Sequence, residues 1–459
     1  MRSNRYRYRW IISLLLMMCF GFAQASAIHA YQLNNGLKLI VKEDHRAPVV
    51  FTSVWYKVGG SYEHNGVTGI SHVLEHMMFR GTQKYPAGAF EKEISDVGGE
   101  QNAMTADDFT VYFERLSADQ LPVAFRLEAD RMHNLLLSKN DFDKEIQVVM
   151  EERRMRYDDN PTSLAYERFM AAAFVNSPYH HQAIGWMTDL QHMTVQDVRD
   201  WYHAWYVPNN AIVVVVGDVN PEQVLALAKE YFGPLESKPV PHLKPRIEIP
   251  PLGTTSVKIE VPARLPMIMM GYQTPSLTTT KEKWQPYALD VLSTLLGGSD
   301  SSRFARDLIR GKQMASQAAT DYQLYQLHSN QFVLFGIPAQ AHSIAELKEA
   351  FTNEIKKLQT DPVSEEELKR VKAQVIAQNI YNQDSLMNQA MDIGGAEVIG
   401  LSWQTSQDYV KNIEAVTAQQ IQQVAQLYLI PRRLTVAVLQ PTGEPTQPAP
   451  VQPLPAGLH

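Results

Sequence analysis

Two periodicities alternate along this chain. Stretches in which apolar residues recur every three or four positions predict helices, and short apolar or alternating runs bounded by turn residues predict strands. Val49 to Val58 reads as a strand, and Gly69 to Phe79 as an apolar, helix-compatible run. Phe90 to Ile94 continues as helix, ends at Gly98-Gly99, and is followed by Phe109 to Glu114, which alternates like a strand. Asp141 to Arg154 is a second, acidic helix. The pattern then repeats. Thr194 caps a helix that stops at Pro208, ahead of the buried-strand run Ala211 to Gly217. Thr417 caps a helix that stops at Pro431, ahead of Leu434 to Leu439, and the spacing from Thr to Pro is the same in both. Met267 to Tyr272 reads as a strand before the helix Trp284 to Leu296, as Val49 to Val58 precedes Gly69 to Phe79.

Similarity between the two halves at both their starts and their ends predicts a duplication. The chain has 459 residues, too long for one core. The predicted units are 28–235 and 253–440, joined by a proline-rich linker at 236–252 and followed by a proline-rich tail at 441–459 without predicted structure. Residues 1–27 read as a secretory signal. Arg2, Arg5, Arg7 and Arg9 precede the apolar run Trp10 to Phe22, and Ala25-Ser26-Ala27 or Ala23-Gln24-Ala25 offers a small-residue cleavage site. An uncleaved N-terminal anchor is the alternative. The single cysteine, Cys19, lies inside this segment, so the mature chain would carry neither disulfides nor thiolate ligands. Losing four of 42 Lys+Arg leaves 38 against 49 Asp+Glu, a net of −11. No basic footprint for nucleic acid is present, and no other apolar run is long enough to span a membrane. A bacterial periplasm fits the signal, and a cysteine-free mature chain is indifferent to its redox state.

Composition alone assigns no chemistry; the helix at 69–79 does. It contains His72-x-x-Glu75-His76. Residues four apart share a helix face, so His72 and His76 point the same way, as two ligands of one metal ion must. Glu75 lies on nearly the same face, spaced to act as a base rather than as a third ligand. This is the inverted zinc-peptidase motif, and imidazoles suit zinc. The bland alternative is a solvated polar stripe, and a third ligand downstream would shift the balance toward the metal. In the acidic helix, Glu145 and Glu152 are two turns apart on one face, whereas Glu151 is rotated away toward solvent. Asn102 and Ala103 fit either an exposed strand edge that pairs with an extended peptide or a plain turn. His180-His181 lacks carboxylates at helical spacing and reads as loop.

Gly69 to Thr82, the set Gly98-Gly99-x-x-Asn102-Ala103-x-Thr105, and a glutamate some 75 residues beyond His76 together resemble the pitrilysin family, which includes insulin-degrading enzyme and mitochondrial processing peptidase. Tyr206-x-Pro208-Asn209-Asn210 and Gly217-Asp218-Val219 resemble the end of its catalytic domain. The resemblance implies an α+β fold of two homologous domains, each a mostly antiparallel sheet with helices on one side, forming half of a clamshell chamber. It implies a Zn2+ cofactor held by His72, His76 and Glu152, with Glu75 as general base and Glu145 in support. It makes Asn102 and Ala103 the edge that holds substrate. The implied activity is zinc-dependent endoproteolysis of peptides or unfolded segments. Under the repeat, His72, Glu75 and His76 fall on Leu289, Leu292 and Ser293, so the second half would keep the helix and lose the ligands. Family members that complete their own site carry an Arg and a Tyr after the serine-rich turn that Ser301-Ser302-Arg303 matches. Here Ser316 stands where the tyrosine is expected, and Tyr322 lies further on. That departure predicts a dimer, with a homologous non-catalytic chain or with a second copy. A scaffold subunit and a metal carrier of the same fold are the rival readings.

Overall fold

The structure, a computed structural model, describes residues 28–443. The signal-peptide reading of 1–27 and the tail from 444 lie outside the described residues. Two sheets organise the rest. The first contains β1 (Ile28–Gln32), β2 (Lys38–Glu43), β3 (Val49–Tyr56), β4 (Glu100–Thr105), β5 (Thr110–Ser117) and β6 (Ala211–Gly217), in the order β1-β2-β6-β3-β5-β4. The second contains β7 (Thr255–Val261), β8 (Met267–Thr274), β9 (Ala315–Asp321), β10 (Asn330–Pro338) and β11 (Leu434–Pro441), in the order β7-β11-β8-β10-β9.

With β1 set aside, the two orders correspond strand for strand. Each sheet is antiparallel except at one equivalent place, β2 with β6 and β7 with β11, where the pairing is parallel. The repeated helix ends agree as well. Thr194 and Thr417 each close a capping box, with Asp197 and Gln420, and Pro208 and Pro431 each open a short 3-10 turn into β6 and β11. Both sheets thus show the mostly antiparallel α+β plan.

The helices Ile70–Met77, Leu121–Asn134, Lys139–Arg153 and Val195–Trp205 cover one face of the first sheet and bury its core. The opposite face is covered too, by a helix from the other half. Ala390, Ile393 and Val398 of the Leu386–Val398 helix pack on Phe51, Trp55, Ile212 and Val214. The exchange is reciprocal: Ala165, Phe169 and Met170 of the Pro161–Ala173 helix pack on Met267, Met269, Phe335 and Leu439 of the second sheet. Central strand β6 is consequently buried on both faces, which is why its sequence is a continuous apolar run without alternation. A polar tie also joins the halves, since Asp108 accepts hydrogen bonds from Ser61 Oγ (2.7 Å), the Tyr179 hydroxyl and the Leu327 backbone N–H (2.9 Å). Residues 236–252 carry no helix or strand, yet they are pinned. Arg246 donates to the Ser61 and Glu63 carbonyls, and Glu248 accepts from the backbone of 175–177.

Candidate metal centre

The histidine helix, Ile70–Met77, is placed by its own N-terminus. Gly69 has φ +88°, and a Cβ there would lie 2.4 Å from the Ile184 carbonyl oxygen, so a side chain is excluded. Free N–H groups at a helix start need acceptors. Glu63 supplies them: its carboxylate accepts from Gly69 N (2.7 Å) and Ser71 N (2.9 Å). Burial raises the Glu63 pKa to about 8, against the pull of those two backbone donors. Ile70, Val73, Leu74 and Met77 anchor the helix in the core, and the flank bearing His72, Glu75 and His76 meets the Lys139–Arg153 helix.

That second helix starts at Ser138, whose hydroxyl accepts from Asp141 N. Phe142, Ile146, Val149 and Met150 bury one face, and Glu145 and Glu152 reach the histidines. Glu152 Oε2 lies 3.7 Å from His72 Nε2 and 3.4 Å from His76 Nε2. A π-type turn at Arg154–Asp158 brings Arg156 back onto the other Glu152 oxygen at 2.9 Å. Glu145 faces His76 Nδ1 at 3.4 Å and holds Arg80 at 2.6 Å. Glu151 points to solvent and pairs with Arg154, as its helix phase requires.

One ligand atom from each of His72, His76 and Glu152 lies within 4.8 Å of the other two, and this is the one such group found among the described residues. Zinc bonds of about 2.0–2.1 Å in a tetrahedron imply ligand–ligand edges of roughly 3.3–3.5 Å. The observed contacts are close to that and too long to be good hydrogen bonds between the side chains themselves. The donor set, two imidazoles and a carboxylate, fits zinc. Its electrostatics fit as well. Burial first, then the neighbouring His76, lowers the His72 pKa to about 4, which leaves a neutral imidazole. Burial opposes ionisation of Glu152, but His76, His72 and Arg156 hold it as a carboxylate, with a pKa of about 2.

Glu75 sits beside this group, with Oε2 accepting from the Thr105 hydroxyl of β4. Asn102 and Ala103 lie on the same strand, at the edge of the first sheet. Tyr322 is not available to this site: it is buried in the second core, and its hydroxyl donates to the Pro275 carbonyl at 2.6 Å. Ser316 donates to the Ile337 carbonyl. Leu289, Leu292 and Ser293 are buried in the second half's helix. His181 is buried and His180 bonds the Ser177 carbonyl; neither joins a three-ligand group among the described residues. Sequence reasoning did not assign Glu63, Arg80, Thr105 or Arg156. Thr105 lay inside the Asn-Ala-x-Thr pattern; for Glu63, no local pattern signals a cap six residues ahead.

The model of the insulinase family, peptidase family M16, matches residues 38–185, and that of the M16 inactive domain matches 192–375. A zinc protease of Helicobacter pylori, PqqE, is 33% identical over 425 residues, covering 89% of this chain and 92% of that protein. The chain belongs to the M16 family. Its fold matches the crystal structure of a protease from Helicobacter pylori with a TM-score of 0.86 and 32% identity, over 91% of this chain and 100% of that one. The periplasmic protease PqqL from Escherichia coli shares the fold at a TM-score of 0.75 and 20% identity; the match takes in 91% of this chain and 48% of that larger one. As an M16 protein the chain is a member of a zinc metallopeptidase family, and the inactive-domain match at 192–375 overlaps the second half, which contributes no residue to the three-ligand group found among the described residues. No helix among the described residues is long and apolar enough to cross a membrane.

Proposed function

We propose that this chain is a zinc-dependent endopeptidase of the periplasm, hydrolysing peptides or unfolded polypeptide segments with Glu75 as general base. The convergence of His72, His76 and Glu152 within 4.8 Å, with Glu75 on the helix that carries both histidines, carries the reading. These three side chains would hold the metal. When bound, zinc supplies Lewis acidity, polarising the scissile carbonyl and lowering the pKa of water. Glu75 takes the proton of the attacking water on its free oxygen, Oε1, while Thr105 restrains Oε2. The same carboxyl then delivers that proton to the departing amine nitrogen. Glu145 orients the His76 ring through Nδ1, so that Nε2 faces Glu152. Asn102 and Ala103 present the edge of β4 to an extended substrate.

The N-terminal signal reading supports a periplasmic location, which cell fractionation tests. Tyr322 is held by Pro275, and Ser316 stands in place of the family tyrosine. This supports a dimer in which a homologous non-catalytic chain, or a second copy, completes the site. The decisive experiment is Glu75→Gln, which should retain zinc and lose peptide hydrolysis by roughly 10²–10⁴-fold. Full activity in the zinc-loaded variant refutes the assignment.

A further inference from the structure

The edge strand β4 has two faces and a free side, and only one face looks toward the metal centre. Thr105 bonds Glu75 and Ala103 packs on the first core. Asn102 and Glu100 project to the other face, opposite their cross-strand partners Phe113 and Arg115. There a cleft of about 660 Å³ opens between the outer face of the sheet and the 384–387 segment of the second half. It lies within the roughly 300–1,000 Å³ typical of ligand sites. Phe51 and Phe113, stacked at 5.4 Å, form its floor, and Leu386 and the half-exposed Met387 form its far wall. Arg46 ties the two walls together, bonding Asp44 at 2.6 Å and Asp384 at 3.3 Å.

The backbone says how a chain would reach it. Ala106 N donates to Phe109 O across the β4–β5 turn, whereas Ala103 N is satisfied only by the neighbouring Asn102 side chain, at 2.8 Å. N–H groups alternate sides along a strand, so those of Gln101, Ala103 and Thr105 face the open edge. An extended peptide added there would set alternate side chains on opposite faces, one set toward the histidine helix and the other into the cleft.

We propose that this cleft is a second substrate subsite, which takes apolar side chains of an extended peptide lying along β4. The proposal rests on the peptidase reading above. Both arginines of the rim are already paired, Arg46 with Asp44 and Asp384, and Arg115 with Glu100. The rim therefore carries one acid more than base and disfavours an acidic side chain, while the aromatic floor favours leucine or phenylalanine.

The test uses zinc-loaded full-length Glu75→Gln protein and a fluorescein-labelled unstructured peptide in which single positions are changed among Leu, Ala and Glu. At one position Leu should bind about tenfold more tightly than Ala, and Glu more weakly than Ala. Met387→Trp, which fills the cleft, should abolish the Leu advantage, and Met387→Glu at the same exposed position should do so without adding bulk. Leu and Ala binding alike at every position overturns the proposal, as does a Leu advantage unchanged in both Met387 variants. Parallel assays of wild-type cleavage separate the two ideas. Selective binding by a protein that cleaves none of these peptides removes the hydrolytic reading and leaves the subsite standing.

Discussion

Glu145→Gln tests whether the proposed metal site extends beyond His72, His76 and Glu152. The Glu145 side chain is 6% exposed and has two separate partners, His76 Nδ1 at 3.4 Å on one oxygen and Arg80 Nη2 at 2.6 Å on the other. Glutamine has the same shape but one acceptor and one donor end. Either Arg80 or the Nδ1–H of His76 then meets an N–H group, and the ring loses its orienting charge. Losing such an outer partner typically costs roughly 10–100-fold in metal affinity, or about 1.4–2.7 kcal/mol at 1.36 kcal/mol per decade. The apo fold should suffer little, because Arg80 is 41% exposed and can turn to water. Zinc affinity is measured by competition with a chromophoric chelator, and the apo protein is melted as a control. The zinc-induced rise in melting temperature should shrink in step, since a ligand stabilises in proportion to its binding. Unchanged zinc affinity in a normally folded variant refutes the role given to Glu145.

Three further outcomes are expected. Glu152→Gln should strip or loosen zinc while Glu151→Gln, whose side chain is exposed and pairs only with Arg154, is nearly silent; metal stoichiometry in both variants decides, and the reverse result would overturn the helix phase. Thr105→Val should lower kcat by roughly ten- to a hundredfold, the range for a lost hydrogen bond to a charged group, with zinc content unchanged and activity largely recovered in Thr105→Ser. Gly394→Ala should lower the urea midpoint although alanine is the better helix former by ~1 kcal/mol, because its Cβ would lie 2.1 Å from the fully buried Trp55 ring and overpacking costs about 1–3 kcal/mol; equal or higher stability would show that the two halves pack more loosely there.

The sequence announced what is local and periodic. The strand at 49, the helices of the two repeats and their Thr caps follow from spacing and capping chemistry within a few residues. The spacing of seven within one helix puts Glu145 and Glu152 on a common face, but that Glu152 stands beside His72 and His76 was implied only by the family resemblance. What could not be read is what crosses between halves. Nothing in Leu386 to Val398 states that it covers a sheet built from residues 28–217, since an amphipathic face does not name its partner. The apolar run of β6 hinted at a second cover, for a strand with one wet face would alternate. Tyr322 was open because its partner is distant even within its own half: its hydroxyl donates to the carbonyl of Pro275, 47 positions earlier. Arg80 and Arg156, ordinary surface arginines by sequence, acquire meaning only once Glu145 and Glu152 stand beside the histidines.

A scaffold subunit of the same fold is the rival that these charges weigh against. Around one short helix the chain gathers Glu145, almost wholly buried, with Glu152 and Glu75 only partly exposed. Buried ionised groups cost several kcal/mol each before their partners offset the loss, and well-packed apolar replacements are often as stable or more so. The equivalent helix of the second half takes that cheaper course, with Leu289 and Leu292 fully buried. Both solutions therefore exist within one chain on one topology, and the apolar one suffices to hold a sheet and helix together. The costlier set in the first half, with Arg80 and Arg156 beside it, therefore favours the proposed cation site over a bare support.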